Sequence, residues 1–162
     1  KVERFMEELS LIEDFREPEK MLKVVEYAYQ RINRLLISID DSSEHRAQCV
    51  ELLGQMHQSL MMSITGRADT KAKRFYNLWM SDQFELLSTD LTLNLAPESL
   101  QKFQTLIKKA WESNEKTKKN GQDETKVPKW LRYKMARYFL DEAITANDQD
   151  SELHFRRILA KI

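Results

Sequence analysis

The clearest periodic pattern in the chain covers residues 21–39, MLKVVEYAYQRINRLLISI. Its apolar positions are Met21/Leu22, Val24/Val25, Ala28/Tyr29, Ile32, Leu35/Leu36 and Ile39. Steps of three and four put these side chains on one broad stripe of a helix. Lys23, Glu26, Arg31 and Arg34 fall on the other side. Pro18 opens the segment without losing a hydrogen bond, because N–H groups in a first turn have no intrahelical acceptor. A stripe this wide buries against more than one neighbour. The segment is therefore predicted as the central helix of an all-α domain, with Ile32, Leu35, Leu36 and Leu53 in its core.

The same spacing recurs on both sides of this segment. Residues 2–15 carry Val2, Phe5, Met6, Leu9, Ile12 and Phe15 on one face, and Pro18 ends that run by forcing Glu17 out of the helical region. Asp41, Ser42 and Ser43 offer side-chain oxygens to cap a helix over 44–65, with Gly66 placed to end it as a left-handed C′ residue. A fourth helix is predicted over 70–87, with Ala72, Phe75/Tyr76, Trp79 and Leu86/Leu87 on its face. A fifth starts at Pro97, a sixth at Pro128, and a short last one covers 151–162. Only 90–96, DLTLNLA, alternates with period two. No second such run exists to pair with it, so an extended crossing or a short helical turn is expected there. The result is a compact bundle of about seven helices without significant sheet, treated as one domain over 1–162.

One stretch lacks any pattern. Residues 116–126, KTKKNGQDETK, contain no large apolar side chain and hold the turn dipeptide Asn120–Gly121. A mobile loop is expected over 116–127.

Composition narrows the class. Charged residues make up 32% and Gly plus Pro only six, which excludes collagen-like and disordered chains. No apolar run approaches the roughly 20 residues that cross a bilayer. A single cysteine, Cys49, forms no internal disulfide and favours a reducing, cytoplasmic compartment. The net charge of zero hides an asymmetry. Residues 1–65 hold 8 Lys/Arg against 12 Asp/Glu, whereas 102–137 hold 11 basic residues against 4 acidic ones.

Candidate chemistry is sparse. His45 and Cys49 are four apart, but His57 stands about 80° round the same helix, and neither HExxH nor paired CxxC motifs occur. No nucleophile elbow, P-loop or dinucleotide fingerprint is present. The expectation is a non-enzymatic domain with no cofactor or metal.

Two surfaces stand out instead. Leu78, Met80 and Phe84 fall off the main row of the fourth helix, and they are expected to form an exposed apolar ridge that binds another protein. The 102–137 region interleaves aromatics with cations, most densely in KVPKWLRYKMARYF. Lys126, Lys129, Arg132 and Lys134 there form the alternative, a polyanion-binding face for weak nucleic-acid contact. A lipid or apolar-ligand pocket between helices is a further alternative. The expected function is that of an adaptor or scaffold module, part of a larger protein.

Overall fold

A computed structural model of the chain describes residues 17–36, 44–84, 87, 91, 94–119 and 127–162. Six helices occupy most of them: α1 (Pro18–Leu36), α2 (Glu44–Ser63), α3 (Ala68–Ser81), α4 (Pro97–Lys119), α5 (Lys129–Thr145) and α6 (Gln149–Leu159). No strand occurs among the described residues. The fold is all-α, as the periodicity predicts. The helix expected over 2–15 lies outside the described residues.

The helix ends show where side chains override the pattern. α2 stops at Ser63, and Gly66 takes φ 150° rather than the left-handed cap value near +57°. α3 stops at Ser81 instead of continuing to 87. Asp82 then turns the chain, and its Oδ2 accepts from the Leu87 N–H at 3.0 Å. The leucine alternation at 91–95 encodes a helical turn: the N–H groups of Asn94 and Leu95 both donate to the Leu91 carbonyl at 3.1 Å. Leu91, Asn94 and Leu95 are all buried. α4 continues to Lys119, so residues 116–119 are helical and not part of the expected loop; 120–126 lie outside the described residues.

The α5–α6 corner is built from local chemistry alone. Asn147 adopts φ 55°, the left-handed conformation that asparagine tolerates. Its N–H reaches the Ile144 carbonyl at 3.1 Å while the Asp148 N–H reaches that of Ala143 at 2.9 Å, the bonding pattern of a Schellman C-cap. Asp148 then caps α6, accepting from the Ser151 N–H at 3.1 Å. Asp150 and Glu152 in the first turn, with Arg156 and Arg157 in the last, complement the helix dipole.

Packing divides the chain into two compact units, Lys1–Gln104 and Thr105–Ile162. In the first, α1 packs against α2 and α3. Leu22, Val25 and Tyr29 of α1 meet a core that includes Leu53 and Met61 of α2, Ala72 and Phe75 of α3, and Phe103 of α4. The predicted central role of α1 rests on these residues. Ile32 is half-buried, and the side chains of Leu35 and Leu36 are outside those described. Met61 is buried and Met62, about 100° further round the helix, is exposed. In the second unit α5 packs on α6. Ile107, Trp111, Leu131, Met135, Ala136, Leu140 and Ala143 are buried, but no residue of α6 is.

Candidate functional site

The first unit buries a cluster of polar groups. His57 of α2 has 0% exposure, and Asp82 and Asn94 are nearly as deep. Helical spacing explains His57, which follows Leu53 by four and precedes Met61 by four on the buried row of α2. Its Nδ1 lies 3.1 Å from Asn94 Oδ1, so the neutral ring carries its proton on Nδ1 and donates it to the asparagine. Nε2 has no hydrogen-bond partner among the described residues; the nearest carboxylate oxygen, Glu26 Oε1, is 3.9 Å away. Tyr29 and Phe75 flank the imidazole, with ring centroids 6.0 and 5.8 Å from it. The aromatic series continues through Phe103 to Trp79.

Beside the histidine lies a charged clamp. Arg74 of α3 donates from Nε and Nη2 to the two oxygens of Glu26, at 2.6 and 3.0 Å, and from Nη1 to Glu19 at 2.7 Å. Both acids belong to α1 and stand seven residues apart, two turns, so one guanidinium spans them. Burial alone would lower the Arg74 pKa, but its bonds to Glu26 and Glu19 hold it above the ordinary value. Burial drives His57 the other way, down to about 4; the Arg74 charge adds to this and the Asn94 bond opposes it. Burial, reinforced by the Asp82 charge, raises the Tyr29 phenol well above its ordinary range. At neutral pH the cluster thus holds a neutral imidazole and a neutral phenol beside a paired Arg–Glu clamp. It ties α1, α2, α3 and the 91–95 turn together.

The sequence-predicted surfaces fare differently. Of the ridge expected at Leu78, Met80 and Phe84, Leu78 is 5% exposed and part of the core, while Met80 and Phe84 are half-buried. Leu78 adjoins Trp79 on the buried side of α3, and the end of α3 at Ser81 leaves Phe84 in the turn that follows the helix. Of the proposed polyanion residues, Lys129 is exposed, Arg132 half-buried and Lys134 only 6% exposed; Lys126 lies outside the described residues. A polyanion-binding face needs Lys134 exposed, but it is buried with its neighbours Met135 and Ala136. The side chains of His45 and Cys49 are outside those described.

A surface that sequence reasoning passed over lies on α1. Lys20, Lys23, Val24, Tyr27, Gln30, Arg31 and Arg34 are all exposed. At 100° per residue they fall within about 60° on either side of Tyr27. Tyr27 is 60% and Val24 46% exposed, next to each other one turn apart. No acid lies in this arc, because Glu19 and Glu26 sit at its edge, held by Arg74. The available signal was Tyr27 itself, a large aromatic on the side opposite the apolar stripe.

No protein family, curated protein or solved structure is detectably similar to this chain. Among the described residues, no helix is long and apolar enough to cross a membrane.

Proposed function

We propose that the chain is a non-enzymatic helical module that works by binding another protein, in an adaptor or scaffold role. The observation that carries this reading is the division of labour among its polar and apolar groups. His57, the side chain best suited to proton transfer at neutral pH, is sealed in the core, and Glu26, Arg74 and Asn94 are engaged with it or with one another. Meanwhile Val24, Tyr27 and Met62 stand in solvent. Tyrosine in particular is enriched where interfaces concentrate their binding energy.

The alternative of nucleic-acid binding through 102–137 loses support from the burial of Lys134 and the half-burial of Arg132. Affinity capture on the immobilised chain, with and without nuclease, separates the two. Protein that co-elutes in fixed proportion after nuclease treatment supports the interaction reading. Retention of nucleic acid at about 0.15 M salt, with protein lost on nuclease treatment, overturns it.

A further inference from the structure

The exposed arc of α1 has a composition that selects among partners. We infer that it docks an acidic amphipathic helix of a partner protein, with Tyr27 and Val24 as the apolar centre and Lys23, Arg31 and Arg34 as the cationic rim. This rests on the protein-binding reading above and specifies its surface. From Lys20 to Arg34 the arc runs about 21 Å along the helix axis, at 1.5 Å per residue, which matches four turns of a partner helix. Lys20 is shared with Glu17 at 2.8 Å, so the cations of the arc that have no ion pair among the described residues are Lys23, Arg31 and Arg34.

The charge is one-sided for a structural reason. α1 contains two further acids, Glu19 and Glu26, and Arg74 draws both to the edge of the arc facing α3. Without that clamp they would be free to pair with the outward cations of the same helix. With it, Glu19 and Glu26 are engaged at the edge, and among the described residues the charges within the arc are all positive, around two apolar side chains. An apolar centre within a polar rim is the anatomy of a protein–protein contact. A polyanion would use the cations but has no need of Val24. A lipid surface needs a wide apolar face to insert, yet the stripe of α1 is spent in the core at Leu22, Val25 and Tyr29. Helix-in-groove or helix-on-helix docking with anchors at i, i+3, i+4 and i+7 is the recognition mode that fits.

The test uses the full chain and a synthetic helix-forming peptide with Leu at i, i+3, i+4 and i+7 on one face and Glu on the other. Its controls are a scrambled peptide of the same composition, phosphatidylserine vesicles and a single-stranded oligonucleotide. The amphipathic peptide should bind, and the scrambled one at least about tenfold more weakly. Tyr27→Ala should weaken binding about tenfold or more, as removal of a central aromatic does. Arg31→Glu combined with Arg34→Glu should abolish binding, and replacing Glu by Lys in the peptide should restore it. Equal binding of the scrambled peptide, indifference to Tyr27→Ala, tighter binding to vesicles or oligonucleotide, or no binding to any probe would each overturn the assignment. The broader reading fails separately, when the unaltered chain captures no protein after nuclease. If Tyr27→Ala retains the protein captured by the unaltered chain, binding occurs on another face and the broader reading stands.

Discussion

The two units solve the same packing problem with different materials. The first closes its core around polar groups: His57, Asn94 and Asp82 are buried, Arg74 clamps two glutamates, and Phe75 and Phe103 fill the space beside them. The second buries Asn114 and Lys134 and adds stacked rings. Phe139 and Phe155 lie parallel within 17° at 5.3 Å, with Trp111 edge-on to both, and α6 contributes no fully buried side chain. Phe75, Phe103 and His57 have 0% exposure, so a change in the first core leaves a cavity that its neighbours fill only in part. Half-covered rings give up less when disturbed. Stability should therefore be concentrated in the first unit, with α6 the readiest to open.

The largest expected contrast is between two phenylalanines. Phe75→Ala removes a ring with 0% exposure that touches His57 and Phe103, and should destabilise its unit by about 3–5 kcal/mol. Phe155→Ala, on half-buried α6, should cost about 1–2 kcal/mol. Denaturant unfolding of both variants, read by hydrogen exchange in α3 and α6, measures the difference. Equal losses would remove the contrast.

Acid should act on the first unit through His57. The unfolded chain takes up a proton at this ring near pH 6.5, and the folded chain does not until about pH 4. Stability from this group is therefore complete above about pH 6.5 and falls as the pH drops towards 4, by about 3 kcal/mol in all. Hydrogen exchange of α2 across that window should show the loss, and His57→Gln should flatten it. A flat profile in the unaltered chain would mean that Glu26, 3.9 Å from Nε2, accepts the added proton's charge by closing on the ring.

The clamp comes next. Arg74→Met keeps most of the side-chain volume but leaves Glu26 and Glu19 without their cation, at about 2 kcal/mol. The same change removes a charge that opposes His57 protonation, so the acid-dependent loss should shrink with it. Thermal melts at two pH values give both effects together.

The smallest effect isolates backbone from packing. A Cβ on Gly66 meets nothing within 4 Å, yet φ 150° is a conformation that side chains disfavour. Gly66→Ala should cost about 1 kcal/mol through the backbone alone. A neutral result would show that the 64–67 turn can rearrange without loss.

What the sequence determined is what depends on spacing within one element. Steps of three and four specify a helix wherever they occur, so the all-α class, the location of α1 to α6 and the burial of Leu22, Leu53, Phe75, Phe103 and Met135 follow from the order of residues. Tertiary structure decided whatever depends on residues distant along the chain. Arg74 meets Glu26 across 48 positions and His57 meets Asn94 across 37. No periodicity encodes such pairs, and only the packing of α3 on α1 and of the 91–95 turn on α2 brings them together. The same holds for α3, whose end at Ser81 is followed by the Asp82 contact to the Leu87 N–H, and that early end takes Phe84 off the helix that carries Leu78 and Met80. It holds as well for the cationic face of α1. A helical wheel places Glu19 and Glu26 at the edge of that face, and only a guanidinium from another helix pairs with both.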